Sequence, residues 1–277
     1  MVWCVNCHSP LVLEGKNPDE VENRIFSNEG VSCIACHVRE NQILASKEIE
    51  NPREHNFILN KKLKDSEFCS NCHQFNFPTA NKNHGFQFSN LPMQNTYQEW
   101  KESFFYQKEN CQSCHMPIKI NSKGENYRSH SFFGGHNKEL LEKTFSIKLI
   151  QLDKNLFKIE ILAKKLGHGF PTGDLFRKLN IQILDQNYKR LYEFDLGYEY
   201  SKNENPKFED AEKVLSNKEV FSPPLSSENS IYLKSIYNSE LNKAKFYKMK
   251  MKFVDEKSLL IDEYSESVEL IFKKGKF

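Results

Sequence analysis

The 277-residue chain contains no run of about 18 apolar residues, so no stretch is long enough to span a bilayer as a helix. It also lacks an excess of charge. The formal net charge is +2, which leaves no polybasic surface to drive nucleic-acid binding, and the interspersed lysines and glutamates read as solvated surface. Glycine (11) and proline (10) are few, which argues against collagen-like and low-complexity classes. Only Met1, Val2 and Trp3 precede the first cysteine, so no export leader is present. No cysteine follows position 114.

The eight cysteines that are present form four Cys-x-x-Cys pairs: Cys4/Cys7, Cys33/Cys36, Cys69/Cys72 and Cys111/Cys114. Each pair is followed directly by a histidine: His8, His37, His73 and His115. Two thiols so spaced on one helical turn suit thioether bonds to the vinyl groups of a haem, and the adjacent histidine suits the proximal iron position. Paired Cys-x-x-Cys units also occur in four-cysteine zinc sites, in redox-active dithiols and in structural disulfides, none of which requires the trailing histidine. With nine histidines in the chain, chance places one at a given position roughly 3% of the time, and at all four on the order of once in a million. The expectation is four covalently attached haems c. Such attachment takes place beyond the bacterial inner membrane, so a periplasmic or otherwise exported location is expected. The missing leader then implies a truncated or late-started N-terminus.

Five histidines remain as candidate distal ligands. His130 and His136 sit in His-Ser-Phe-Phe-Gly-Gly-His, where two glycines let the backbone approach a flat cofactor. His168 lies in the glycine-punctuated loop Gly167-His168-Gly169-Phe170-Pro171-Thr172-Gly173, which reads either as a tight turn with an incidental histidine or as a ligand reaching a haem. His55 is a reasonable ligand, and His84, in Asn-Lys-Asn-His-Gly, is the weakest. Met93 is a further possibility as a potential-raising ligand, whereas Met116 adjoins His115 and is badly placed for the same iron.

The composition marks two domains, 1–140 and 141–277, with the boundary near Lys138 to Thr144. Short helices are expected around the motifs. One starts at Asn17-Pro18-Asp19-Glu20 and runs toward Phe26, with Gly30 as its stop; another starts at Thr96, has Glu99 three residues on, and runs toward Gln107. The second half alternates as β: Phe145–Leu152, a turn at Asp153-Lys154-Asn155, Leu156–Ala163, Leu179–Leu184, Leu191–Leu196, Ser230–Ser235, Phe246–Val254 and Val268–Phe272. Ser201 to Asn217 reads as a polar excursion. The expected fold class is therefore α+β: a multihaem cytochrome c domain of short helices and loops, then an antiparallel Ig-like β-sandwich.

The segments Gly30–Arg39, Phe68–Phe75, Met93–Thr96 with Glu99-Trp100, and Cys111–Pro117 resemble those around the haems of secreted bacterial multihaem (tetrahaem) cytochromes c with a C-terminal β-sandwich. The Gly-His-Gly-Phe-Pro-Thr-Gly loop is similar to the one that opens their β-domain. The likeness is specific in the haem half and looser beyond Lys178. Its relatives usually carry a signal peptide and often one more haem motif upstream, which agrees with a truncated start. The resemblance implies electron transfer, with redox partners such as other cytochromes or a quinol-linked complex. The competing expectation is a multihaem oxidoreductase acting on a small nitrogen or sulfur compound at one open haem, with Tyr127, Arg128 and Arg177 as nearby polar groups. A zinc-dependent binding module is the third.

Overall fold

A computed structural model describes residues 7–8, 30–39, 42–49, 57–80, 86–173, 177–200, 215–220, 222, 225–253 and 268–277. The expected helix from Asn17, the excursion from Ser201, and the candidates Cys4, His55 and His84 lie wholly or mainly outside these residues. The chain divides into two compact units, Met1–Cys72 and His73–Phe277. Its regular structure is mostly β, with few and short helices.

In the first unit, strands β1 (Val38–Arg39), β2 (Gln42–Ala45) and β3 (Phe57–Leu59) form one small sheet. β1 and β2 pair antiparallel, while β2 and β3 pair in parallel. Asn60 opens a 3-10 turn over Lys61–Lys64 by accepting a hydrogen bond from the Lys62 N–H at 3.0 Å. Among the described residues the buried apolar side chains here are Ala35, Leu44 and Ala45, too little to make a core of ordinary size.

In the second unit, β4 (Phe75–Ala80) and β5 (Phe86–Gln94) form a hairpin whose register shifts around Asn76. Pro78 and Pro92 fall at that irregular stretch, where missing ladder donors are tolerated. A second hairpin joins β6 (Ile118–Ile120) to β7 (Asn126–Arg128), with Gly124 at φ +79 in its turn. These strands, with β1–β3, correct the expectation of helices and loops alone around the motifs. The alternating aromatics Phe75 and Phe77 supplied a period-two pattern that the neighbouring motif obscured.

The helix expected from Thr96 toward Gln107 spans Thr96–Lys101 only. Ser103 ends it: its hydroxyl donates to the Trp100 carbonyl at 2.8 Å and accepts from the Phe105 N–H at 3.2 Å. Such local bonds compete with the helical ladder. The chain then turns, and Trp100 Nε1 donates to the Glu109 carbonyl at 2.9 Å.

From Phe145 onward the expected strands are present. A three-stranded sheet has the order β13 (Asn229–Tyr237), β9 (Leu156–Lys164), β8 (Phe145–Gln151), and a five-stranded sheet runs β12 (Leu215–Glu219), β11 (Arg190–Tyr200), β10 (Arg177–Leu184), β14 (Phe246–Phe253), β15 (Val268–Lys276). All these pairings are antiparallel. Period-two alternation turns Phe157, Ile159, Ile161 and Ala163 of β9 to one face, where they join Leu179, Ile181, Ile183, Leu196, Met249 and Met251 in a single buried cluster. Full burial of each such aliphatic side chain contributes roughly 1.5–3 kcal/mol.

Candidate functional site

Three motifs are described in full, and each closes a short helix: Cys33–His37, Glu67–His73 and Cys111–His115. Helical spacing puts both thiols of a pair on one face, with the histidine one residue further round. Helices this short do not hold by themselves, so their ends are tied. Asn110 caps the last one, accepting from the Ser113 N–H at 2.8 Å and from the Ser113 hydroxyl at 2.7 Å. Arg128 closes its other end, donating to the carbonyls of Gln112 (2.9 Å) and Met116 (3.0 Å). That use of Arg128 is structural, and Tyr127 beside it is exposed. Of the first motif, Cys7 and His8 are described and lie in a helical turn. No disulfide joins the seven described cysteines.

In the first unit, His37 Nδ1 lies 2.8 Å from the Leu44 carbonyl. Arg39 reaches the carbonyls of Ala35 and Val38, each at 2.6 Å. Burial pushes the Cys36 thiol up, partly opposed by Arg39, while a hydrogen bond with Cys7 holds Cys72 down at about 7.

In the second unit three histidines converge. His115 Nδ1 donates to the Phe133 carbonyl, and His168 Nδ1 donates to the Gly169 carbonyl at 2.7 Å. Their rings face each other with centres 6.0 Å apart and planes inclined by 11°. Burial, then the nearby His115, lowers the pKa of His168. His73 is exposed as a residue; desolvation of its ring, then the charges of His115 and Arg177, lower its pKa, and the side-chain amide of Gln94 opposes them.

The loop that carries His168 is held from both sides. Phe170 is buried in the sheet core against Phe145, ring centres 4.7 Å apart. Glu99, only 7% exposed, accepts from the Gly169 N–H at 3.1 Å and from the Thr172 hydroxyl at 2.7 Å. Because Thr172 gives its proton to Glu99, Thr96 is the donor in the 2.8 Å bond between the two threonine hydroxyls. A Cβ on Gly169 would stand 3.0–3.2 Å from the Glu99 carboxylate, so glycine is the residue that allows this approach. Sequence reading placed Glu99 as a helix-start residue. Its role as the loop's anchor was signalled only by the coincidence of a Thr-x-x-Glu and a glycine-rich loop, which lie 70 residues apart.

The other candidates fall elsewhere. His130 is exposed, with Nδ1 3.0 Å from the Arg128 carbonyl and its ring edge-on to Phe132. His136 is exposed in the turn before the helix Lys138–Thr144. Met116 is the C-cap residue of the last motif helix, and Met93 lies half-buried in β5.

Two imidazoles bound through Nε2 to opposite sides of one metal, each at about 2 Å, have ring centres roughly 6 Å apart. That spacing also falls within the range of ordinary ring pairs. What distinguishes His115 and His168 is that a carbonyl fixes Nδ1–H on each ring, leaving Nε2 as the free lone pair, the usual arrangement for a metal-binding histidine. The tautomer thus makes His115 and His168 candidates to hold one haem iron between them. No group of three or more His, Cys, Asp or Glu side chains suited to a metal ion occurs among the described residues.

No family model and no curated protein matches the chain. A match among solved structures is the Bifidobacterium dentium β-glucuronidase complexed with coumarin-3-O-glucuronide, at 13% identity and a TM-score of 0.22. It covers 48% of this chain and 17% of that one, and carries no argument about fold or function.

Proposed function

We propose that this chain is a multihaem c-type cytochrome that passes electrons between redox partners outside the cytoplasm. The observation that carries the reading is the His115–His168 pair: two facing imidazoles, each with Nδ1 tied to a backbone carbonyl. When bound, each haem supplies a one-electron couple. The residues assigned to hold them are Cys4/Cys7 with His8, Cys33/Cys36 with His37, Cys69/Cys72 with His73, and Cys111/Cys114 with His115, the thiols as thioethers and the histidines through Nε2. His168 supplies the distal nitrogen opposite His115, and His55, His84, His130 and His136 are the candidates for the other irons. Two strong ligands at each iron leave no open position, which favours relay over substrate turnover. A zinc site would need four donors together, whereas an axial pair needs two.

Exposed apolar side chains around the motifs also support the reading. Val31, Ile34, Phe57, Ile58, Leu59, Ile118 and Phe132 are all exposed, and a large flat apolar cofactor is a natural cover for such surface. We read residues 1–140 as the haem domain and 141–277 as an Ig-like β-sandwich. Two antiparallel sheets that share one buried cluster support that division. Export follows from the attachment chemistry. The partners are other redox proteins, for example cytochromes or a quinol-linked complex.

The test is protein matured with a haem-attachment system. A pyridine haemochrome assay is expected to give four haems, and low-temperature EPR to show low-spin iron alone. Zero haem with bound zinc would overturn the reading. A high-spin signal that shifts with nitrite or hydroxylamine would replace the relay with a reductase.

A further inference from the structure

Arg177 opens β10, four residues beyond the loop that ends at Gly173. It is half-buried, and its Nε is buried without a hydrogen-bond partner. No carboxylate among the described residues forms an ion pair with it. A buried donor without an acceptor is rare in native proteins and calls for a partner. Arg177 is also directed at a particular neighbourhood. Its charge is felt at His73, the last residue of the third motif helix, and Gln94 beside His73 lies within 4 Å of the space next to Gly173. The surroundings thus contain a preformed cation, neutral polar groups and an exposed histidine, and among the described residues no carboxylate paired with the cation.

We infer that Arg177 is the anchor for a propionate carboxylate of the haem whose iron His73 holds. This rests on the multihaem reading above and adds to it a specific holding residue. The planar fork of donors matches a carboxylate bidentately, which would satisfy Nε and neutralise the guanidinium at once. It would also hold the propionate side of that haem to β10. By offsetting the negative charge of that propionate near the iron, the anchor would favour the reduced form.

The experiment compares the wild-type holoprotein with Arg177→Gln and Arg177→Lys. Intact mass first establishes that all three carry four haems. Redox titration of Arg177→Gln is expected to move one of four midpoint potentials downward, and resonance Raman to shift one propionate-bending band. Arg177→Lys, which keeps the charge and loses the fork, is expected to restore the potential but not the band. Unchanged potentials and unchanged bands in both variants overturn the assignment. So does a wild-type spectrum that responds to added nitrite or formate through Arg177, since the guanidinium then receives a free anion. Absence of haem from the wild type would instead defeat the parent reading, so the two failures are distinguishable.

Discussion

From Leu141 to Met251 the sheets bury Phe145, Ile159, Ile161, Leu179, Ile181, Ile183, Leu196 and Met249 almost completely, whereas from Val31 to Phe132 the chain leaves Val31, Phe57, Phe88, Leu91, Ile118, Ile120 and Phe132 exposed. The two regions do not differ in having apolar residues; they differ in having something to bury them against. A strand in a sheet meets a facing sheet, and its alternate residues pack there. A five-residue helix presents one turn and has too little surface to build a core. Its apolar neighbours need a partner that the described residues do not supply, and four haems would supply it. On the proposed reading the first region is conditional on haem and the second is independent of it.

The largest effect that could break this contrast is loss of haem. Full-length chain made without attachment machinery is expected to be cleaved rapidly by a protease between residues 30 and 132, while a fragment containing β8 to β15 persists. In haem-loaded protein both regions should resist. Equal resistance of the first region with and without haem would mean that it carries a core of its own. The next effect lies wholly in the second region. Ile161, with no exposed surface, sits in the centre of β9, and Ile161→Ala is expected to cost about 2–5 kcal/mol in chemical denaturation. The haem spectrum should be unaltered before the transition. A change in spin state in the folded variant would show that the sheets, too, depend on the haems.

Legibility in the sequence follows the same division. The strands from Phe145 to Lys276 were readable because each turns alternate residues toward one core, and burial leaves a period-two trace. The cysteine pairs and their histidines were readable because the same spacing recurs four times. Strands β1 to β3, β6 and β7 were not: they are short, and some of their apolar residues are exposed, as Phe57 to Leu59 are, while the alternation of Phe75 and Phe77 in β4 was obscured by the motif before it. Glu99 was placed rightly in the first turn of its helix, and its second role was missed for a related reason. Thr96 and Glu99 match a helix-start signature, yet the carboxylate is directed to Gly169 and Thr172, and a contact spanning 70 residues leaves no local pattern. His168 was singled out by its glycines, but only the structure sets its ring against that of His115.

The smallest effect discriminates between motifs rather than regions. Asn110 caps the helix Cys111–His115 with two hydrogen bonds, whereas Ser32, at the same place before Cys33, makes no side-chain cap and has its hydroxyl buried without a partner. Removing a cap that is made costs about 1 kcal/mol; removing a buried hydroxyl that bonds to nothing is close to neutral or slightly stabilising. Asn110→Ala is thus expected to lower stability by about 1 kcal/mol and Ser32→Ala to leave it unchanged or raised, both measured by denaturation of the holoprotein. If the two alanine variants behave alike, then thioether attachment, not the cap, holds the motif helices in shape, and the cofactor-dependence of the first region extends down to its single turns.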